Sequence, residues 1–292
     1  MSSFEIVEPH TVEEAFGFLA DDDPAIRPFA GGTALMLMMK AQVFRPVRLV
    51  SLRALDGRFA GIAPSERGTL VRIGAMTTFT TLERSANIRR CFPVIAETMR
   101  TLANVRVRNV ATVGGNLAHA DPHLDLPPVW IALGAEAVIL SPGRERVVPV
   151  EDIFAGYYET SLRHDDLIAE LRVPIRPAWR TTYVKVTPRS AHDWPALGLA
   201  ISAALQGQQV GDARVVLSAA TDRPTRLVAA EAVLRGGRLD DATLRRAGEA
   251  AADEVTIESD DRGSADYKKH LLRVYLGRAM RKLAGPQPGD QR

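Results

Sequence analysis

Two glycine pairs carry the clearest chemical signal in this 292-residue sequence: Ala30-Gly31-Gly32-Thr33 and Thr112-Val113-Gly114-Gly115-Asn116. Successive glycines can adopt positive φ and expose backbone N–H groups bare of Cβ, so that consecutive amides converge on one oxyanion. Such a nest neutralises phosphate without a lysine. Neither pair fits G-x-G-x-x-G and neither runs into G-K-[ST], which sets aside the Rossmann and P-loop arrangements. One pair alone is equally well explained as a tight turn. Two pairs, each closing on a hydroxyl or amide side chain, point to a long diphosphate ligand.

The run His119-Ala120-Asp121-Pro122-His123-Leu124-Asp125 invites a metal reading, since His119 and His123 would share one face of a helix. Pro122 breaks that helix and no H-E-x-x-H follows, so an ordered loop is the better expectation. Lys185 and Arg189 form the best cationic pair for an anion, against a plain alternative of a solvated strand end. Nothing resembles a Ser-His-Asp or Cys-His nucleophile set. The single cysteine, Cys91, excludes an intramolecular disulfide and a Cys-ligated cluster, and reads as a small core hydrophobe.

The elements that must hold these residues alternate without strict β-α-β order, which predicts an α+β fold. Capping boxes at Thr11–Glu14 and Thr80–Glu83 open helices, and Pro93 suits the first turn of a helix over 94–102. Strands are expected at 48–52, 69–74 and 167–175, with a hairpin at 136–150 turning through Ser141-Pro142-Gly143-Arg144. Two prolines within Pro174-Ile175-Arg176-Pro177 mark a boundary between domains 1–176 and 177–292, the first divided again near 56/57. Beyond it, strands over 181–187, 196–205 and 213–220 surround a turn at 207–211. Helices over 225–234, 240–252 and 264–283 follow. Alternation along the first of these strands puts Tyr183, Lys185 and Thr187 on one face.

Composition bounds the partners. With 37 basic and 35 acidic residues the formal charge is +2, so no strong field addresses nucleic acid or membrane. No apolar run approaches the ~20 residues a bilayer demands, and no signal-like segment opens the sequence. A soluble cytoplasmic protein is expected.

Phe29-Ala30-Gly31-Gly32-Thr33-Ala34-Leu35, Ala111-Thr112-Val113-Gly114-Gly115-Asn116-Leu117 and Asp121-Pro122-His123-Leu124-Asp125-Leu126-Pro127 resemble, in order and spacing, motifs of one family. It is the FAD-binding medium subunit of molybdenum hydroxylases, of the carbon monoxide dehydrogenase/xanthine dehydrogenase type. Tyr183-Val184-Lys185 with Arg189 and Asp193, and Asp261–Tyr267, are similar to the start of its C-terminal domain and to its closing motif. The resemblance implies a vanillyl-alcohol-oxidase-type FAD domain in two subdomains, then a small domain with a three-stranded antiparallel sheet and three helices. It further implies that Phe29, Ala30, Gly31, Gly32, Thr33, Ala34 and Leu35, together with Thr112, Val113, Gly114, Gly115 and Asn116, wrap the FAD pyrophosphate and ribityl chain. Asp125 would hydrogen-bond the cofactor, Leu102 and Ile168 would pack on it, and Lys185 would reach the flavin end. Many relatives have Ser or Asp where Ala34 stands, so one side-chain hydrogen bond is missing here.

The activity implied is electron relay through non-covalent FAD, with no catalytic side chain and no metal on this chain. Electrons would come from [2Fe–2S] clusters of a small subunit, fed by a large molybdopterin subunit, in a dimer of heterotrimers, and would pass to an external acceptor. Exposed groups near Tyr157-Tyr158 are candidate subunit contacts. The alternatives are a stand-alone flavin oxidase or dehydrogenase of the same fold, for which about 110 residues after Pro177 make a small substrate domain, and a nucleotide-binding module that has lost flavin.

Overall fold

The computed structural model describes residues 3–55 and 57–285. Met1, Ser2, Asp56 and the last residues, 286–292, fall outside it, including the expected division near 56/57. The first unit is a parallel sheet of β1 (Glu5–Val7), β3 (Arg48–Ser51) and β2 (Ile26–Phe29), in the order β1-β3-β2. Helices α1 (Val12–Leu19) and α2 (Thr33–Lys40) connect the strands. Thr11 caps α1 as its sequence predicts, with Thr11 Oγ1 accepting from the Glu14 amide at 3.1 Å and Glu14 reaching back to the His10 amide at 2.8 Å.

The second unit opens with β4 (Ile62–Pro64) and β5 (Leu70–Gly74). A helical layer follows: α3 (Phe79–Arg84), α4 (Ala86–Cys91), α5 (Pro93–Thr98), α6 (Val105–Arg108), α7 (Val113–His119) and α8 (Leu126–Leu133). Strands β6 (Glu136–Ser141) and β7 (Arg144–Pro149), the small hairpin β8 (Phe154–Gly156) and β9 (Glu159–Thr160), and β10 (Leu167–Pro174) complete it. The five-stranded sheet has the order β4-β5-β10-β6-β7 and is antiparallel throughout. Its two central strands are buried on both faces. Val138, Leu140, Leu167 and Ala169 pack toward the first unit, while Ala137, Ile168, Leu171 and Val173 pack toward the helical layer. This explains why β6 and β10 are apolar at nearly every position. Two helix expectations shift. Thr78, not Thr80, caps α3, because Thr80 turns its hydroxyl to Asn109 at 2.6 Å. The helix at Pro93 ends at Thr98, four residues early, before a loop in which Ala103 takes a positive φ of 45°.

The third unit is an antiparallel sheet of β11 (Trp179–Val186), β12 (Leu197–Gln206), β13 (Gln209–Ser218) and the two-residue β14 (Thr225–Arg226), followed by α9 (Val228–Leu234), α10 (Asp241–Glu254) and α11 (Ala265–Ala284). The three long strands and three helices match the expected small domain, and β14 adds a short edge where a helix start was read. Gly207, at φ +60°, lets β12 and β13 join through two residues, so 209–211 belong to a strand and not to the turn. One face of the sheet, with Leu197, Leu199, Ile201, Val215 and Leu217, packs under the three helices. From the other face, Ala200, Val216 and Tyr183 join the core that surrounds α8.

Helix α8 is buried at all eight positions, Leu126 to Leu133. It lies between the five-stranded sheet and the third unit, so no side of it needs to be polar. At its C-terminus Gly134 takes φ +72°, and the Arg214 guanidinium from β13 approaches the Ile131 carbonyl at 3.5 Å. At its N-terminus stands Asp125.

Candidate cofactor site

Gly32 precedes α2 with φ +69° and offers no side chain as a cap. The first helical hydrogen bond runs from the Met36 amide to the Gly32 carbonyl at 2.9 Å. Among the described residues no acceptor meets the amides of Thr33, Ala34 and Leu35. A helix start left open in this way is a prepared anion site. Glycine is required on both sides of the bend. A Cβ on Gly31 would lie 2.0 Å from the Val110 carbonyl oxygen, and one on Gly32 would lie 2.3 Å from the Phe29 ring, which packs over the turn.

The second motif is built differently. Gly114 and Gly115 lie inside the first turn of α7, and neither has positive φ, nor does Gly31. The expected paired nests are therefore corrected to one left-handed glycine, Gly32, and one capped helix start. Thr112 caps α7, its Oγ1 accepting from the Gly115 amide at 3.2 Å. The Val113 amide is taken by the Thr77 carbonyl at 3.0 Å and the Gly114 amide by the Ala75 carbonyl at 2.8 Å. Close approach accounts for Gly114, whose Cβ would lie 2.6 Å from that of Ala75. The Thr-x-x-Gly spacing, read as a cap, would have located this helix.

The two motifs meet. Gly31 touches Val110 and Ala111, and a Cβ on exposed Gly115 would stand 3.8 Å from that of Ala30. Beside them, Asn116 Oδ1 is buried with no hydrogen-bond partner among the described residues. A buried acceptor left unpaired costs about 1–3 kcal/mol, so its presence beside an open row of amides fits a ligand that has both phosphate oxygens and hydroxyl donors.

At the far end of the loop, Asp125 is enclosed by the third unit. Tyr183 donates to its Oδ1 at 2.7 Å and Lys185 to its Oδ2 at 2.9 Å, Lys185 also donating to the Thr101 carbonyl at 3.1 Å. Burial raises the Asp125 carboxyl, against the opposing pull of Lys185 and Tyr183. Burial, and then the Asp125 charge, push the Tyr183 phenol well up. The lysine charge is thus offset by its carboxylate partner, and of three ammonium protons two are engaged, leaving one for a ligand. Strand alternation brings Tyr183 and Lys185 together as expected, but Tyr183 itself was missed as a site residue. Leu102 and Ile168 belong to the same core, at 6% and 7% exposure. Arg189 does not join Lys185. It lines a separate cavity with Pro188, Asp193, Trp194, Asp261 and Arg262.

The histidine loop is ordered as expected. His119 ends α7, Ala120 turns at φ 53°, and among the described residues no group of three or more potential ligands could hold a metal ion. Cys91 packs, partly buried, against the main core. In the turn between β8 and β9, Tyr157 is 60% exposed, while the Tyr158 ring lies edge-on to His119 at 5.2 Å.

Residues 2–176 match the family described as the FAD binding domain in molybdopterin dehydrogenase, and residues 182–283 match the CO dehydrogenase flavoprotein C-terminal domain. The carbon monoxide dehydrogenase medium chain of Afipia carboxidovorans is 32% identical over 279 residues, 95% of this chain and 96% of that one. The xanthine dehydrogenase FAD-binding subunit of Escherichia coli O157:H7 is 28% identical over 266 residues, 90% of each. A chain of the reconstituted CO dehydrogenase from Oligotropha carboxidovorans superposes with a TM-score of 0.92 at 31% identity, covering 98% of this chain and 99% of that one. No helix among the described residues is long and apolar enough to cross a membrane. Two matched domains that together span nearly the whole sequence identify the chain as a member of the FAD-binding medium-subunit family of molybdenum-containing dehydrogenases.

Proposed function

We propose that this chain binds one FAD non-covalently and relays electrons from the [2Fe–2S] clusters of a small partner subunit to an external acceptor, within an assembly that also contains a large molybdopterin subunit. The observation that carries the reading is the uncapped start of α2, apposed to the second glycine motif and to the unpaired Asn116 oxygen. In this reading Phe29–Leu35 hold the pyrophosphate, with the free amides of Thr33, Ala34 and Leu35 as donors. Thr112–Gly115 form the wall against which it rests, and Asn116 accepts from the ribityl or ribose hydroxyls. Asp125, Lys185, Leu102 and Ile168 border the flavin end. FAD supplies the ability to accept electrons singly and release them in pairs, and the protein's share is to hold the ring and set its electrostatics.

The domain division at 176/177 is supported by the match boundaries, 2–176 and 182–283, and by a separate core in the third unit. A single cysteine cannot ligate a [2Fe–2S] centre, so clusters must come from another polypeptide. Tyr157, exposed on the β8–β9 turn, is the candidate contact. A dimer of heterotrimers in the cytoplasm completes the reading. Denaturing the purified chain and chromatographing the supernatant tests the cofactor: the expected result is FAD near one per chain, and FMN or colour retained in the precipitate would refute it. Co-expression with iron–sulfur and molybdopterin subunits is expected to give a stable complex whose flavin is reducible by substrate. Substrate oxidation by this chain alone would instead make it a stand-alone enzyme.

A further inference from the structure

Between Asn116 and Asp125 lies a cluster that the cofactor motifs leave unused. Asp121, 2% exposed, accepts from the His123 amide and from His123 Nδ1, both at 2.9 Å. Burial pushes the Asp121 carboxyl up, but the two hydrogen bonds from His123 outweigh it and hold it below the usual range. An ionised Asp121 fixes the proton on Nδ1, so Nε2 is the ring atom that gains and loses one. The imidazole stacks on Trp194 with centroids 5.1 Å apart and planes at 11°, and the Arg262 guanidinium lies over the same indole at 5.4 Å. Trp194 and Arg262 line a cavity of about 270 Å³ together with Arg189, Asp193 and Asp261. Arg262 is itself paired with Asp260 and Asp261. The neighbouring His119 is edge-on to Tyr158 at 5.2 Å, and burial, against the opposing charge of Asp121, lowers its pKa and keeps it neutral.

Iron–sulfur clusters deliver electrons without protons. A flavin that collects two electrons by that route needs a proton from elsewhere, and this chain must provide the path. We propose that His123 is the proton donor and acceptor for the flavin, with Asp121 as its positioning residue, an inference that rests on the FAD relay described above. For each pair of electrons arriving from the clusters, one proton leaves Nε2 of the imidazolium for the flavin ring, and the neutral imidazole is recharged from water through the cavity beside Trp194. If the acceptor removes a hydride, that proton departs with the two electrons. If it takes electrons alone, the recharged imidazolium gives its proton to water and Nε2 takes the flavin's proton back. The loop position supports this role, since His123 stands two residues before Asp125 and seven after Asn116.

The test uses the full chain with bound FAD, reduced anaerobically in stopped flow by methyl viologen radical, a donor of electrons only. The wild type is expected to slow as pH rises and the proton donor is lost. His123→Gln is expected to retain its FAD, to reduce about 10²-fold more slowly, in line with the usual contribution of a positioned acid, and to lose that pH dependence. Millimolar imidazole should restore His123→Ala, which no purely structural role would allow. Nitrogen NMR of the flavin-free chain supplies a readout independent of activity: a single Nδ1–H tautomer at His123, mixed in Asp121→Asn. Wild-type rate and pH profile in His123→Gln would overturn the proposal. So would a folded His123 variant that loses FAD, which would make the residue a cofactor-holding group, or a slow His123→Ala that imidazole does not rescue. A wild-type chain that binds no FAD would overturn the relay reading and this step with it, whereas any of the preceding results, given a wild-type chain that holds FAD, would overturn this step alone.

Discussion

The two glycine motifs look alike in sequence and fold into opposite devices. At Ala30–Thr33 the chain bends through one left-handed glycine and leaves a helix start with its amides open. At Thr112–Asn116 the amides are consumed by Thr112, Thr77 and Ala75, and the glycines serve close packing. One motif is a donor surface and the other the wall that braces it. A Gly-Gly pair therefore marks where backbone must come close to something, and only the neighbouring cap decides whether that something is a ligand or the protein itself.

The sharpest way to break this distinction is Gly31→Val. Its side chain would collide with the Val110 carbonyl, which is backbone and cannot swing away. Separation of the motifs, a stability loss on the order of 3 kcal/mol and nearly flavin-free protein are expected, read by thermal melting and visible absorbance. Gly115→Val should do less. Because Gly115 lacks positive φ, no backbone strain opposes the change, and the new Cβ is crowded by the capping Thr112 hydroxyl at 2.9 Å, with Ala30 at an ordinary 3.8 Å. A loss of about 1 kcal/mol, the worth of a cap, with partial flavin occupancy is expected. Equal damage from both substitutions would contradict the division into donor and wall.

Asn116→Leu sharpens the contrast by moving two quantities in opposite directions. Removing an unpaired buried oxygen should stabilise the flavin-free chain by about 1 kcal/mol, while FAD binds less tightly. A calorimetric titration beside a melt of the apoprotein would measure both, and a melt that fell instead would mean that the oxygen already has a protein partner. Ala34→Ser should act through the donor motif alone, adding one hydrogen bond at the α2 start and tightening FAD binding several-fold, at about 1 kcal/mol.

The smallest effect on flavin is expected at Asp166, in neither motif. Burial alone would raise its carboxyl, but Arg146, Ser141 and the Arg163 amide bond it and hold it low. A carboxyl lowered in the folded state stabilises above its unfolded pKa, and that contribution vanishes as pH falls through the folded value. Asp166→Asn should therefore be less stable at neutral pH and show a shallower acid limb in melts across pH, with unchanged flavin content at neutral pH.

Much of this was legible in sequence where the cause is local. The Thr11 cap, the hairpin at Pro142-Gly143 and the Tyr183/Lys185 face follow from neighbours a few residues apart. What sequence could not supply was distance across the fold. The Thr77 and Ala75 carbonyls take the Val113 and Gly114 amides, and those partners lie some forty residues upstream. Lys185 read as a free cation because Asp125, its counter-ion sixty residues earlier, becomes its neighbour only when the third unit folds against α8. The stacking of Trp194 on His123 was hidden for the same reason.

Helix α8, without a solvent-facing side, makes the chain poorly divisible. A fragment ending near residue 176 would strip one wall from eight buried residues and leave Asp125 without both of its donors. Exchange of C-terminal halves between relatives is constrained likewise: a transplanted sheet must fit the profile of α8 and also carry a tyrosine and a lysine in register with Asp125, just before that helix. Proteolysis in the exposed Pro177-Ala178 linker should nick the backbone without releasing two soluble pieces. Modules that adjoin in sequence here behave, mechanically, as one casting.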